Sequence, residues 1–366
     1  MPALTTDPEE PLLPAAPATP APLGPPAPQP RPRPRVLLAM DPAMEPRLLT
    51  GRTRAELHRV ADPVPALVVD DFSRPAAAAA LRETEVLFTG WGCPRIDEAV
   101  LAAAPRLRAV VHAAGSVRGH ITDACWDRGI AVSSAAAVNA LPVAEYTVAT
   151  VLLSNKRVLE AREEYRTHRG EKRNWRAEFP AVGNYRRTVG IVGASTIGRR
   201  VIELLRPYDL DVLVHDPFLG PAEATALGVR KRELDELCRA CDVVSIHAPE
   251  LPGTRRMIDR RRLGLMRDGA TLINTARGSL VDQDALTDEL VAGRLRAVID
   301  VTEPEVLPAG SPLYDLPNVL LTPHFAGSFG NELHRMADCA VAELGRYAAG
   351  LAFAHPVLRE RLDRSA

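Results

Sequence analysis

The sequence predicts an α/β protein of two doubly wound parallel-sheet units with a cleft between them. Three observations predict it. The chain has 366 residues, more than one average domain. Short apolar runs alternate along it with Ala- and Leu-rich stretches of helical spacing, the pattern of parallel strands joined by helical crossovers. A glycine-rich turn at Gly193 follows one apolar run and opens a helix, the setting in which a nucleotide-binding sheet begins.

Residues 1–35 are built largely of Pro and Ala and end in Arg31-Pro-Arg-Pro-Arg35. Proline fixes φ and lacks an N–H, so this stretch is expected to be an extended, disordered arm. Ordered sequence starts at Val36-Leu-Leu-Ala-Met40, and further strand-like runs begin at Ala66, Glu85, Leu107 and Ile130. This first unit is expected to span 36–139. It is completed by 328–358, because the helical pattern after Glu332 has no obvious place in the second unit. From Ala140 to about Leu159 a long helix with more than one apolar side links the units. The charged, aromatic stretch that follows makes 140–187 a candidate dimerisation arm, so a homodimer is expected. Within the second unit, 140–327, six strands are expected at 188–192, 211–215, 242–247, 270–274, 296–300 and 318–321.

Composition narrows the function. Lys+Arg 45 against Asp+Glu 46 leaves a net charge of -1, with no excess to hold nucleic acid or an anionic membrane surface. No apolar run approaches the roughly 18 residues of a membrane span, and the N-terminus lacks a secretory stretch. A cytoplasmic location is expected. Five scattered cysteines make no disulfide framework, and Cys238-x-x-Cys241 lacks a second ligand pair, so no metal is expected.

The turn Gly193-Ala-Ser-Thr-Ile-Gly198 keeps the first and last glycines of a dinucleotide motif and carries Ser195 for the middle one. Ser195 either hydrogen-bonds a phosphate or crowds it. The helix N-terminus beyond offers N–H groups to a pyrophosphate. A second strand, Asp211-Val-Leu-Val-His-Asp216, ends in an acid 23 residues after Gly193. A carboxylate there accepts hydrogen bonds from a ribose and repels a 2′-phosphate, which favours NAD. The basic cluster Arg230, Lys231 and Arg232 lies too far on to count as a phosphate site. Further along, Arg277, Glu305 and His324 stand 28 and then 19 residues apart, each after an apolar run. A guanidinium grips a carboxylate in a two-pronged bond, an imidazole exchanges a hydroxyl proton, and a carboxylate orients that imidazole. Taken alone, each has an ordinary structural reading. Together, behind a cofactor turn, they fit hydride chemistry on a hydroxyl beside a carboxylate.

Three segments, Ile273-Asn-Thr-Ala-Arg-Gly-Ser-Leu-Val-Asp282, Asp300-Val-Thr-Glu-Pro-Glu305 and Leu321-Thr-Pro-His-Phe-Ala-Gly327, carry a family resemblance. With the glycine turn and Asp216, they resemble the D-isomer-specific 2-hydroxyacid dehydrogenase family over about 36–357. The resemblance implies a Rossmann-type NAD domain and a flavodoxin-like substrate domain. It also implies that Arg277 binds the substrate carboxylate, that His324 is the acid/base and that Glu305 is its partner. Asp300 would meet the nicotinamide carboxamide, and Thr196 and Ile197 the pyrophosphate. Thr275 and Ala276 would lie beside the nicotinamide, with His247 and Pro249 on the cofactor's other side and Gly327 also at the cofactor.

In the first unit, Ala114-Gly-Ser-Val-Arg-Gly-His-Ile-Thr122 is similar to the family's substrate loop, where backbone N–H groups of Ser116 and Val117 would meet the carboxylate. Arg118 departs from the family pattern and is expected to place a charge near the pocket. His112 and His120 are read as structural or pocket-lining, and Trp91 as packing or a wall of the pocket. The implied reaction is NAD-dependent reduction of a small 2-keto acid, or oxidation of the 2-hydroxy acid. The alternative is an NAD(H)-binding regulator of corepressor type on the same fold.

Overall fold

The computed structural model describes residues 32–362. The Pro/Ala-rich arm expected over 1–35 therefore lies, for residues 1–31, outside the described residues. The first strand already starts at Arg35.

Five parallel strands form the first sheet: β1 (Arg35–Ala39), β2 (Asp62–Val69), β3 (Val86–Thr89), β4 (Ala109–His112) and β5 (Ala131–Ser134), in the order β2-β1-β3-β4-β5. Successive side chains point to opposite faces, and both faces of the inner strands are covered, so β1, β3 and β4 are mainly apolar while the edge strand β2 is partly exposed. Leu37, Leu87, Val110 and Val132 enter the core on one face. Val36, Leu38, Phe88 and Val111 enter the core on the other. That second face is covered by the helix Glu332–Ala348, whose Leu333, Ala337, Val341 and Leu344 share its core. The chain after the helix then reaches β5, where Val357 N–H donates to Val132 O at 2.8 Å. Buried Glu343 turns it, its two carboxylate oxygens accepting the Ala354 and His355 N–H groups at 3.0 Å each.

The linking helix runs over Ala136–Asn155, four residues earlier than expected. At 20 residues and a mean hydropathy of 1.4, it is long and apolar enough by length and composition to cross a membrane. That corrects the expectation that no run approaches this size. Here Ala144, Val148 and Val151 pack instead against Val201, Ile202 and Leu205 of the helix Thr196–Leu205.

The second sheet has seven parallel strands where six are expected. They are β6 (Arg187–Val192), β7 (Leu210–His215), β8 (Arg230–Lys231), β9 (Val243–Ile246), β10 (Thr271–Asn274), β11 (Arg296–Ile299) and β12 (Val319–Leu321). Their order is β12-β11-β10-β9-β6-β7-β8. The extra strand, β8, pairs Arg230 with Leu213 and Lys231 with Val214. Two basic residues at a sheet edge carry no apolar run, which is why the strand is invisible in sequence. The chain passes from β6 to β7 on one side and returns from β8 to β9 on the other side of β6, so the crevice above the carboxyl ends of β6 and β9 is the switch point where ligands bind in such sheets.

Candidate active site

The glycine turn follows β6 and is forced by its surroundings. Gly193 has φ +100°, and a Cβ on it would lie 2.8 Å from Ala248 N. A Cβ on Gly198 would overlap the Gly193 carbonyl oxygen. Between them, Ser195 takes a part other than the two foreseen for it: it caps the helix Thr196–Leu205, its Oγ accepting the Gly198 N–H at 3.3 Å. One orphan donor of the first turn is thereby satisfied, and the Thr196 and Ile197 end of the helix stays open to an anion. Ser195→Ala is accordingly expected to lower stability by about 1 kcal/mol, read as a shift in urea midpoint. No shift would show that the cap contributes nothing.

Asp216, after β7, accepts the Ala194 N–H through Oδ2 and the Phe218 N–H through Oδ1, both at 2.7 Å. It ties the glycine turn to the end of β7. The edge strand β8 brings the basic cluster closer than the sequence suggests: Arg232 N–H donates to Val214 O at 2.9 Å. The Arg232 guanidinium, however, donates to Lys231 O at 2.9 Å. On the other side of the crevice, His247 is buried and its Nε2 meets Ser245 Oγ at 2.9 Å. Burial pushes its pKa down to about 3, so it is a neutral core imidazole. What this segment presents to the crevice is backbone, with the Pro249 carbonyl held by Thr254 Oγ1 at 2.7 Å. The cradle suits a dinucleotide: glycines where a Cβ would block backbone approach, an open helix end and an acid at the ribose position.

Beyond β10, Thr275 and Ala276 are buried, and Thr275 Oγ1 lies 3.4 Å from Thr147 Oγ1 of the linking helix. Arg277 is half-buried. Its NH1 donates to Ala276 O at 2.6 Å, and no ion pair engages it among the described residues. Strand pairing places its neighbour Gly278 against the Thr302 backbone. Among the described residues no hydrogen bond or ion pair joins Arg277 to Glu305 or His324.

Those two residues do meet. His324 Nδ1 lies 2.9 Å from Glu305 Oε1, with the side chains 48% and 73% exposed, so the pair opens to the cleft. His324 itself sits in the left-handed region at φ +55°. Asp300, 2% exposed, holds this turn from below. Its Oδ1 accepts Thr322 Oγ1–H and Phe325 N–H at 2.6 Å each, and its Oδ2 accepts Ala326 N–H at 3.0 Å. The His324 N–H donates to the Asp300 carbonyl at 2.8 Å. Tyr146 OH, from the linking helix, braces Thr322 Oγ1 at 2.9 Å. The resemblance places Asp300 at the nicotinamide; the structure adds that its carboxylate builds the histidine turn.

Across the cleft, the Val117 side chain is buried in the first sheet's core and Ser116 is exposed. Neither N–H finds an acceptor among the described residues, which leaves both donors for a ligand. His112 and His120 lie beneath this loop with ring centroids 4.4 Å apart. Burial pushes His112 well down, with His120 adding to it and a backbone hydrogen bond to Ser116 opposing; burial alone pushes His120 down to about 4. The Arg118 guanidinium donates to the Leu362 carbonyl.

Sequence reasoning missed Asn139. Its Oδ1 accepts the Ser328 N–H at 2.9 Å, and its amide faces both Gly115 and Gly327, joining the substrate-type loop to the histidine turn. It also lines a cavity of about 780 Å³ together with His324, Gly327, Arg47 and Trp91. Nothing in local sequence marks it, since its partners are far along the chain. Among the cysteines, Cys238 and Cys241 are fully buried, and burial pushes their thiols up to about 11 and about 12.

Residues 148–326 match the family model of the D-isomer specific 2-hydroxyacid dehydrogenase NAD binding domain. A D-3-phosphoglycerate dehydrogenase of Mycobacterium tuberculosis is 34% identical over 284 residues, 76% of this chain and 52% of that protein. The chain thus spans about half the length of that relative. A glyoxylate reductase of Aeropyrum pernix is 34% identical over 275 residues, covering 74% of this chain and 81% of the relative. The crystal structure of the TT0316 protein from Thermus thermophilus superposes with a TM-score of 0.69 at 32% identity, over 88% of this chain and 100% of that one. With the fold, the dinucleotide cradle and the His324–Glu305 pair in place, these likenesses establish that the chain belongs to the D-isomer-specific 2-hydroxyacid dehydrogenase family.

Proposed function

We propose that this protein is an NAD-dependent oxidoreductase that interconverts a small 2-hydroxy acid and the matching 2-keto acid. The observation that carries the reading is the His324–Glu305 pair at 2.9 Å, on a turn built by buried Asp300. A nicotinamide dinucleotide bound along Gly193–Gly198 supplies or accepts the hydride. In the reducing direction, His324 donates its proton to the keto oxygen, and Glu305 orients the imidazole through Nδ1 and stabilises its protonated form. Arg277 and the Ser116 and Val117 N–H groups hold the carboxylate, so the keto carbon is presented in one orientation. NAD is favoured over NADP because Asp216 puts a carboxylate at the ribose position, while the Arg232 guanidinium is turned onto its own backbone.

The test is oxidation of NADH and NADPH over keto acids of increasing size, with Arg277→Lys beside the parent protein. Lysine keeps the charge but loses the planar fork. The variant is expected to raise KM for the keto acid by about 10-fold, the lower end of what a hydrogen bond to a charged group is worth. It should also lower kcat, while NADH affinity by fluorescence titration holds. Failure of every keto acid with both cofactors would overturn the activity. Loss of NADH binding with an unchanged keto-acid KM would remove Arg277 from the substrate side.

A further inference from the structure

A cavity of about 950 Å³ opens where three helices meet, and it shares with the site above only Thr196. Ala137 and Leu141 of the linking helix form its floor. One bank is the helix Thr196–Leu205 of the second unit, with Arg199, Arg200 and, just past its end, Arg206. The other bank is the helix Glu332–Ala348, which covers the first sheet, with Arg335 and Arg346. Both helices pack on the linking helix.

Five guanidiniums thus line the cavity against two carboxylates, Glu203 and Glu343, an excess of three positive charges in a chain whose net charge is -1. Helical periodicity gathers them. Arg335, Ala342 and Arg346 follow at steps of seven and four, hence on one face, as Arg199, Glu203 and Arg206 do at four and three.

The acids at hand do not cancel this charge. Glu203 pairs with Arg200 at 2.6 Å, and Glu223, from outside the lining, pairs with Arg199 at 2.7 Å. Both oxygens of buried Glu343 already accept the Ala354 and His355 N–H groups. Arg206, Arg335 and Arg346 are left with no ion pair among the described residues. Arg206 donates to the Ala226 and Leu227 carbonyls at 3.4 Å each, and Arg346 to the Ala352 carbonyl at 2.8 Å. Like charges gathered in a concave site repel one another and draw anions in.

We propose that this cavity is a second ligand site, for a small polyanion built of linked phosphate groups. A guanidinium is always charged and meets phosphate oxygens two at a time. Linked phosphates, unlike a single one, present enough oxygens to engage Arg206, Arg335 and Arg346 together. Arg206 belongs to one unit and the other two to the helix on the first sheet, so the bound anion joins the units across the linking helix. The same chemistry is offered by a free polyphosphate chain and by the phosphates of a nucleotide. The site uses none of the residues assigned to proton or hydride transfer, so it stands or falls apart from that reading.

The test is isothermal titration calorimetry with inorganic tripolyphosphate and with ATP, each with NADH saturating so that the cofactor cradle is filled. Tripolyphosphate is expected to bind once per chain. Arg206→Gln and Arg335→Gln, exposed side chains on opposite banks, should each weaken it by about 10- to 100-fold, what a hydrogen bond to a charged group is worth. Arg59→Gln with Arg106→Gln removes two exposed arginines outside the cavity and should leave the affinity unchanged. Hydrogen exchange should slow on binding within 199–206 and 335–346. ATP binding more tightly than tripolyphosphate identifies a nucleotide; equal or weaker binding identifies the free phosphate chain. Three results would overturn the site: no saturable binding up to millimolar tripolyphosphate, an equal loss in the control double variant, or slowed exchange confined to the turn 193–198.

Discussion

His324→Ala is expected to lower kcat by about 100- to 10,000-fold, the usual contribution of a positioned general acid–base group. The imidazole reaches the cleft from a turn whose backbone is fixed independently of it, by the Asp300 carboxylate and carbonyl. Removing the ring therefore takes away the proton donor without dismantling the turn. The dinucleotide cradle lies on other elements, after β6 and β7, so NADH affinity should hold. Steady-state kinetics and fluorescence titration read the two effects separately. A variant with near-normal kcat would leave the proton transfer to another group, with Glu305, 2.9 Å from the ring, the nearest candidate.

Asp300→Ala should be damaging in a different way. It leaves three donors, Thr322 Oγ1–H, Phe325 N–H and Ala326 N–H, without the oxygens they now meet. Only the Ala326 N–H is fully buried, and an unsatisfied buried donor costs about 1–3 kcal/mol, so a loss of that size is expected. The His324 turn should loosen with it, lowering kcat well beyond any effect on the keto-acid KM. Asp300→Asn separates packing from charge. It preserves volume and one acceptor but points an amide N–H₂ at backbone donors, so it should fall between the parent and alanine in both urea midpoint and kcat. An asparagine variant equal to the parent in both would show that the carboxylate does not build the turn.

Much of this architecture is readable from the chain because burial on both sheet faces writes each strand as an unbroken apolar run. Val36–Met40 and Val189–Val192 are examples. The glycine turn is readable because only residues without a side chain fit at Gly193 and Gly198. Edge strand β8 is not, since two basic residues at a margin need no apolar side chains. Arg118 is met by the Leu362 carbonyl from 244 residues along the chain, a fact no local pattern contains. Asn139 is likewise silent in sequence. Its part depends on Gly115, Gly327 and Ser328, which lie far from it along the chain or in the other unit. Ser195 shows the converse: its residue type announces a helix cap, and the expectation of a phosphate ligand overlooked that simpler use.

The conformation of His324 carries a cost in durability. An L-residue other than glycine in the left-handed region gives up about 1–2 kcal/mol relative to an ordinary conformation. With φ at +55°, the histidine is held there by its neighbours' hydrogen bonds. Glycine at the same position would relieve the strain and abolish the chemistry. His324→Gly is therefore expected to keep or raise the urea midpoint while losing turnover, a divergence between robustness and activity that few substitutions in the cleft would show.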